Sequence, residues 1–325
     1  MWLNFFRYFA EKVYLCTMKN EGIMTYSKDN LTIEVSEHGA ELTSLKCNGH
    51  EYLWNGDAAY WNRHSPALFP VVGKPFNNEI RVDGKVYPMK QHGFARDSEF
   101  EKMDIGPGIC FRMKDTDRQE VYPYRFGLEV AYVIQGNTLT VSWYVENLDE
   151  RKMYYQIGAH PAFLLPDYDP RDEIHGYVRF YDNYRSDNRV VSPVLTSELE
   201  DGNRVPRADG DVHLPSELPI TADTFAHDAL MIENGYCKQE VSQVTLFDKQ
   251  GNAVLSVDCF DADAYGIWAP HKPGCPFVCL EPWQGICDKK GFTGDISERD
   301  IIRCINPGDH GHFEYTITIE KKINF

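Results

Sequence analysis

Short segments in which apolar and polar residues alternate dominate this chain of 325 residues. The alternation is clear in 31–35, 139–145 and 253–257, and it runs over eight residues from Phe313. A period of two places successive side chains on opposite faces, so each segment is typical of a half-buried β-strand. β-Branched and aromatic residues fill these segments, as the pleated surface of a sheet favours.

Turn signals separate the predicted strands. Asn48-Gly49, Asp83-Gly84, Gly136-Asn137 and Gly251-Asn252 each lie between two alternating segments. Many short strands joined by hairpin turns predict an antiparallel all-β architecture, either a sandwich or a barrel. The sequence contains neither a Gly-rich strand-to-helix loop, which would indicate a nucleotide fold, nor the fixed-period repeat of a propeller.

Two stretches depart from the strand pattern. Residues 1–23 mix aromatic residues with charges and predict an N-terminal extension, either a short helix or disordered, with neither a membrane span nor a signal peptide. Met24 opens the first orderly strand, so we expect a single domain over 24–325. The polar stretch 182–216 predicts a long surface excursion, inserted into that domain because similar strand patterns flank it.

The charge and the cysteines narrow the class of partner. A net charge of −16 at pH 7 argues against nucleic acid and against an anionic membrane surface, but not against a neutral sugar. The nine cysteines are scattered without a Cys-x-x-Cys pair, and the spacing of Cys275 and Cys279 is weak support for zinc. We therefore expect a cytoplasmic protein with reduced thiols.

Glu281 is the first candidate for chemistry. It ends the apolar run Phe277-Val-Cys-Leu, and alternation would place it on one face with Phe277 and Cys279. Partial desolvation would raise the pKa of this carboxyl group, and Pro282 would hold its backbone extended. Trp283 adds a large flat apolar surface nearby. A glutamate that merely ends an edge strand would explain the same residues.

His160 stands in a comparable setting. Pro161 follows it and restricts its backbone, while Gly158 allows another segment or a ligand to approach closely. Imidazole is suited to moving protons near neutral pH. A core histidine with satisfied hydrogen bonds would explain the pattern equally well.

His92 is the third candidate, and its neighbours are less distinctive. It precedes Gly93, which is typical of a turn, and Arg96 supplies a fixed cation for polar recognition. An ordinary surface turn is the alternative. Nucleophilic serine chemistry has little support because no Gly-x-Ser-x-Gly occurs. A pair of carboxylates as in glycoside hydrolysis stays open, since 49 acidic residues give many accidental pairs.

Six segments carry the strongest signal together. They are HGAELTSL at 38–45, WNRHSPALFPVVG at 61–73, QHGFAR at 91–96, IGAHPAF at 157–163, HDAL at 227–230 and FVCLEPW at 277–283. In this order they resemble the aldose 1-epimerase (galactose mutarotase-like) superfamily, and within it the LacX-like branch. The resemblance runs from about Met24 to the C-terminus.

The resemblance implies a large antiparallel β-supersandwich with an open sugar-binding cleft, and a reaction without a metal or other cofactor. By motif, Glu281 resembles the family's general base and His160 its general acid. His92 resembles the second histidine, which assists binding and charge stabilisation. Asp228 resembles the acidic residue that binds sugar hydroxyls, and Arg63 the arginine that contacts the substrate.

The implied reaction is interconversion of the α and β anomers of a free hexose by acid–base opening and closure of the ring. Phe94, Phe163 and Trp283 would pack against the apolar face of the sugar. The expected partner is a small-molecule sugar, and the expected state is a monomer or a weak homodimer.

Lys74 keeps alternatives open. The branch usually has arginine here, and lysine cannot form the same bidentate fork. Together with Arg63 and Arg96 it could bind a phosphate, so a hexose-6-phosphate 1-epimerase is one alternative. A catalytically silent carbohydrate-binding or regulatory module is another, and a hydrolase or lyase on a similar sandwich is a third.

Overall fold

The chain is built from β-strands. The computed structural model describes residues 15–20, 22–104, 108–114, 116–183, 188–235 and 240–320. Over these ranges it contains no α-helix, only short 3₁₀ turns at Phe76–Asn78, Ala95–Asp97 and Ile296–Glu298. No helix in these ranges is long and apolar enough to cross a membrane. The predicted all-β class is confirmed.

The strands are short, and most follow one another through tight turns. The first ten are β1 (Leu15–Asn20), β2 (Ile23–Lys28), β3 (Leu31–Ser36), β4 (Leu42–Cys47), β5 (His50–Glu51), β6 (Ala67–Leu68), β7 (Glu79–Val82), β8 (Lys85–Pro88), β9 (Phe100–Met103) and β10 (Ile109–Met113). The next ten are β11 (Phe126–Gln135), β12 (Thr138–Asn147), β13 (Met153–Tyr155), β14 (Ile157–Ala159), β15 (Ala162–Leu164), β16 (Gly176–Asp182), β17 (Arg189–Val191), β18 (Val194–Leu195), β19 (Ser197–Glu200) and β20 (Asn203–Pro206). The remainder are β21 (Val212–His213), β22 (Glu217–Ile220), β23 (Leu230–Glu233), β24 (Gln243–Phe247), β25 (Ala253–Asp258), β26 (Ala264–Trp268), β27 (Phe277–Gln284), β28 (Arg303–Ile305) and β29 (His310–Ile319).

The largest sheet has ten strands in the order β17-β16-β24-β25-β29-β12-β11-β10-β9, with β22 pairing β16. Its centre is the antiparallel pair β12 and β29, in which Trp143 lies opposite Phe313. The indole of Trp143 stacks on Phe313 and Tyr315 at centroid distances of 5.5 and 5.4 Å. These strands come from the segments with the clearest alternation, because one of their faces is buried in the core.

A five-stranded sheet joins β1 to β5 in chain order. Strand β1 covers Leu15–Asn20 and pairs antiparallel with β2. This part of the predicted N-terminal extension is therefore a strand and belongs to the first sheet, while 1–14 lie outside the described residues. Alternating burial in β2 and β3 places Tyr26 and Ile33 in the core.

A six-stranded sheet carries the candidate residues. Its order is β23-β26-β27-β14-β6, and β15 also pairs β27. All eight residues of β27 are buried, so this strand is enclosed on both faces. A small apolar cluster that includes Leu68, Met231, Ile286 and Cys287 packs with Trp283 against this sheet.

The predicted excursion lies between β16 and β22, which pair with each other in the large sheet. Within it β17 joins the same sheet, and β19 and β20 form a separate hairpin. The excursion thus leaves and re-enters one sheet, and it carries a hairpin that reaches the site described next.

Candidate active site

A cleft of about 460 Å³ opens at the six-stranded sheet. Most of the residues predicted from the sequence line it: Arg63, His92, Arg96, His160, Asp228, Glu281 and Trp283. They come from five separate segments of the chain, which folding brings together at this cleft.

Glu281 lies within β27 and not at its end. The strand continues through Pro282 to Gln284, and Glu281 is paired with Gly266 of β26. Its side chain is almost fully buried. The expected extended backbone before proline is present, but the explanation as an edge glutamate is wrong, because strands pair with β27 on both sides.

His160 is held beside Glu281 by an interruption in strand pairing. Strands β14 and β15 both pair with β27, and His160 and Pro161 connect them. The amide of Leu280 donates to the Pro161 carbonyl at 3.2 Å, which fixes this connection against β27. The imidazole Nε2 of His160 then lies 3.2 Å from Glu281 Oε2.

The His160–Glu281 pair is buried, and burial disfavours charge on both members. It lowers the pKa of His160 to about 3, with Arg96 and Arg63 adding to the effect. It raises the pKa of Glu281 well above the usual range, and the charge of Asp228 adds to this. In the free protein both groups therefore favour their neutral forms, carboxylic acid and imidazole.

Backbone contacts orient His92. Its own amide donates to the Gly73 carbonyl at 2.8 Å, and its Nδ1 accepts from the Gly73 amide at 3.1 Å. Burial, followed by the charges of Arg96, His160 and Arg63, lowers the pKa of His92 well below its usual value. The ring is thus neutral with its proton on Nε2, which makes it a hydrogen-bond donor. The His92 and His160 ring centroids lie 5.5 Å apart.

Arg63 and Arg96 bring positive charge to the cleft. Arg63 donates to Asp97 at 2.6 Å, and Arg96 donates to the Gln91 carbonyl at 2.8 Å. Burial lowers the pKa of Arg96 to about 10, and Arg63 contributes to this shift. The Nε of Arg96 is buried and has no hydrogen-bond acceptor among the described residues. This guanidinium therefore retains capacity to bind a ligand oxygen.

Asp228 lies just before β23 and lines the cleft. Its Oδ1 accepts from the Ala229 amide at 2.9 Å. Asp228 has a φ of 74° and His92 a φ of 64°, so two residues of the site adopt the left-handed backbone that L-residues avoid. Such conformations are concentrated at functional sites, where surrounding contacts hold them.

Trp283 lies across two glycines of the neighbouring strands. A Cβ at Gly158 would come within 2.6 Å of the indole, and one at Gly266 within 2.4 Å. The indole nitrogen donates to the Ala159 carbonyl at 3.2 Å. These two glycines let the ring lie flat on the sheet, where its surface lines the cleft.

The other two predicted aromatic residues lie outside the cleft, so those predictions are wrong. Phe163 is fully buried in the core. Phe94 packs against Phe69 and Tyr122 at the edge of the core. For Phe163 in β15, alternation along the strand does not show which face meets the cleft.

Two tryptophans that the sequence did not single out line the cleft instead. Trp61 stacks on the His160 ring with centroids 4.8 Å apart and 26° between the planes. Trp268 meets His160 edge-on at 5.6 Å. Trp61 stands at the start of the segment 61–73, which offered a signal, whereas the setting of Trp268 offered none.

Lys74 also lines the cleft, and it joins the β19–β20 hairpin. Its ammonium donates to the Asp201 carbonyl at 2.7 Å, and its own carbonyl accepts from Asn203 at 2.8 Å. Leu199 and Gly202 of the hairpin form part of the cleft wall. Lysine at this position therefore anchors the hairpin.

An antiparallel β-fold with a cleft of this composition is typical of proteins that recognise sugars, because flat aromatic rings suit C–H faces and fixed polar groups suit hydroxyls. The chain belongs to the aldose 1-epimerase family, because the sequence model of that family matches residues 23–286. The resemblance to this family that the sequence motifs indicated is therefore confirmed.

Three relatives support the family assignment. The chromosomal LacX protein of Lactococcus lactis subsp. lactis is 28% identical over 303 residues, which are 89% of this chain and 96% of the relative. The structure of a galactose mutarotase related enzyme from Lactobacillus acidophilus is 28% identical with a TM-score of 0.80, covering 92% of this chain and 97% of that one. A galactose mutarotase-like protein from Lactobacillus casei ATCC 334 is 28% identical with a TM-score of 0.79, covering 92% and 100%. The galactose mutarotase-like fold is thus confirmed.

Proposed function

We propose that the protein is an aldose 1-epimerase that interconverts the anomers of a free hexose. The observation that carries the proposal is the buried pair of His160 and Glu281, 3.2 Å apart in the wall of the cleft. Mutarotation moves a proton at the anomeric oxygen and another at the ring oxygen. Both oxygens are bonded to C1, so the base and the acid that serve them have to lie close together.

The reaction uses the pair in its charged form. Glu281 carboxylate takes the proton of the anomeric hydroxyl, and His160 imidazolium donates a proton to the ring oxygen. The electrons of the O1–H bond form the carbonyl, and those of the C1–O5 bond go to the ring oxygen, which yields the open-chain aldehyde. After rotation about C1–C2, the ring oxygen attacks the opposite face of the aldehyde and the ring closes. His160 takes back its proton from the ring oxygen, and Glu281 returns its proton to the anomeric oxygen.

Substrate binding favours this charged form. Hydrogen bonds from sugar hydroxyls to a carboxylate stabilise its ionised state, and the sugar supplies them where the described residues supply few. The Nε2–H of neutral His92 and the guanidinium of Arg96 can donate to oxygens on which negative charge develops. Asp228 can accept from hydroxyls, while Trp61, Trp268 and Trp283 cover the apolar C–H face.

The contacts of the cations favour a free hexose over a hexose 6-phosphate. Arg63 is paired with Asp97, and the Lys74 ammonium is bound to the hairpin carbonyl of Asp201. Of the three cations considered for a phosphate, Arg96 is therefore the one with a buried donor still open. The presence of both acid and base favours an enzyme over a silent binding module.

The test is polarimetry of freshly dissolved α-glucose and α-galactose with the purified protein. Glu281→Gln is expected to reduce the catalysed rate by about 10²- to 10⁴-fold, the usual contribution of a positioned base. Glu314→Gln, a partly exposed carboxylate on the large sheet, is the matched control and should keep the wild-type rate. An unchanged rate in Glu281→Gln would refute the assignment.

The alternatives are tested in the same assay. Glucose 6-phosphate as the preferred substrate would favour the phosphate-specific epimerase. No activity on any aldose, together with sugar binding, would favour the silent module. New reducing ends from oligosaccharides would indicate a hydrolase or lyase.

We also infer a reducing, cytoplasmic setting. Cys110, Cys259, Cys279 and Cys287 are free thiols, and each is buried as a small apolar residue. Labelling of thiols in protein taken directly from cells, with and without prior reduction, checks this.

A further inference from the structure

One cysteine beside the acid–base pair has no part in the proposed reaction. Among the described residues, His160, Cys279 and Glu281 bring three potential metal-ligand atoms within 4.8 Å of one another. Cys279 is fully buried and precedes Glu281 by two positions in β27, so both side chains lie on one face of the strand. Imidazole, thiolate and carboxylate together are a donor set typical of zinc.

The scaffold holds these side chains close to a coordination geometry. Cys279 is fixed between Ala162 of β15 and Trp268 of β26, and Glu281 is paired with Gly266. In a tetrahedral zinc site with bonds of about 2.0–2.3 Å, neighbouring ligand atoms lie about 3.3–3.8 Å apart. The nitrogen and oxygen of the pair are already 3.2 Å apart, so the sulfur has to move by roughly 1 Å.

The buried oxygen of Glu281 also lacks a donor. Its Oε2 accepts no hydrogen bond from the described residues, although it is buried and faces the His160 ring. A buried oxygen without a donor is costly, and a cation satisfies it directly. The cleft beside the pair leaves room for a fourth ligand such as water.

We propose that His160, Cys279 and Glu281 form a binding site for a divalent ion of the zinc class, and that the ion inhibits the enzyme by holding the acid and the base together. The binding site stands on geometry alone, whereas the inhibition rests on the proposed function. The thiolate and imidazole select zinc over magnesium and calcium, which prefer oxygen ligands. The site is inhibitory and is separate from any requirement of the reaction.

The first experiment measures binding without any assay of activity. Metal-stripped protein is titrated with Zn²⁺ by calorimetry and with Co²⁺ by absorption spectroscopy, where a thiolate-to-cobalt charge-transfer band reports cysteine ligation. We expect one ion per chain, and at least about a tenfold loss of Zn²⁺ affinity with loss of the band in Cys279→Ser. Cys287→Ser, which removes the thiol that lines the cleft, should retain both. No binding by the wild type, or a band unchanged in Cys279→Ser, would overturn the site.

The second experiment measures inhibition of mutarotation by Zn²⁺. Zn²⁺ should inhibit mutarotation reversibly, with full recovery after addition of EDTA, and Cys279→Ser should keep its basal rate while tolerating at least about tenfold more Zn²⁺. Cys279→Ala, checked by circular dichroism, is the second variant in case serine disturbs the core. Equal sensitivity of the variants and the wild type would refute inhibition through this site. Absence of mutarotation with the cobalt band intact would count against the proposed function and not against the metal site.

Discussion

Burial decides the chemistry of the individual residues at the cleft. His160 and Glu281 are 7% and 1% exposed, and each resists taking a charge by itself. Their Nε2 and Oε2 atoms lie 3.2 Å apart, which places the two neutral groups side by side. His92 is kept neutral by burial and by neighbouring cations, and its Nδ1 is occupied by the Gly73 amide. The site therefore combines one neutral carboxyl–imidazole pair with one fixed donor.

Glu281→Gln is expected to become progressively more stable than the wild type as pH rises above about 4.5, the ordinary value for glutamate. The native protein keeps a proton on Glu281 that the unfolded chain releases, so wild-type stability falls with pH in this range. Glutamine has no proton to lose. Free energies of unfolding from urea titrations between about pH 5 and 8 measure the difference. A difference independent of pH would contradict the raised pKa.

His160 has the opposite effect on the pH dependence of the free energy of unfolding. Its pKa falls from 6.5 to about 3 on folding, so the unfolded chain binds more protons between these values and stability rises with pH. His160→Gln should therefore flatten the stability profile below about pH 6.5 and leave it unchanged above, where both states are neutral. Urea titrations across this window measure the slope. A slope equal to that of the wild type would contradict the prediction.

Trp61→Leu and Phe163→Leu should separate the aromatic residues of the cleft from those of the core. Trp61 stacks on His160, and its loss is expected to lower kcat/KM for the sugar by about fivefold, because a stacked pair contributes about 1 kcal/mol. Phe163→Leu should leave KM unchanged and cost about 1–2 kcal/mol of unfolding free energy. Mutarotation kinetics measure kcat/KM and KM, and urea unfolding measures stability. A kinetic effect of Phe163→Leu without one of Trp61→Leu would contradict the placement of Trp61 in the cleft and Phe163 in the core.

At the scale of the elements, a break in regular strand pairing places His160 beside Glu281. Strand β27 runs through the middle of the six-stranded sheet, and β14 and β15 share its edge with His160 between them. The β19–β20 hairpin closes one side of the cleft. Lys74 anchors it from outside, and Arg204 anchors it from within the hairpin. Arg204 is 5% exposed, donates to the Cys287 carbonyl at 2.8 Å and pairs with Glu233 and Asp300.

Arg204→Met is expected to destabilise the protein by about 3 kcal/mol, the low end for breaking a buried pair, because Asp300 is 38% exposed. It should also raise KM for the sugar, since Leu199 and Gly202 of the hairpin line the cleft. Arg171→Met is the matched control, because this exposed arginine pairs with Asp169 far from the hairpin and should show no measurable change. Equal effects of the two substitutions would argue against the anchoring role.

At the scale of the whole molecule, the sheets share one hydrophobic core. A single cluster extends from Met24 in β2 to Ile319 in β29 and includes residues of all the large sheets. Shared burial of this extent couples the sheets energetically, which supports the proposal of one domain from Met24 onward.

Unfolding is therefore expected to be a single cooperative transition. Tryptophan fluorescence and far-ultraviolet circular dichroism, followed through the same urea titration, should give coincident curves. Trp143 lies in the large sheet and Trp283 in the six-stranded sheet, so both regions contribute to the fluorescence signal. Two separated transitions would contradict the single domain.

The sequence by itself determined the all-β class and singled out His160 and Glu281 as candidates for acid–base chemistry. A period of two has one physical cause, burial of one face of a strand, and β12 and β29 follow it closely. His160 and Glu281 became candidates because each precedes a proline that restricts its backbone, and the family resemblance supplied their expected roles.

Only the tertiary structure decided which side chains meet. Phe163 and Trp61 are both aromatic residues in distinctive segments, yet one lies in the core and the other on the His160 ring. That difference depends on register and sheet order, which long-range packing sets and local sequence does not encode. The same holds for Cys279 beside the acid–base pair and for Lys74 beneath the hairpin, because each contact joins segments far apart in the chain.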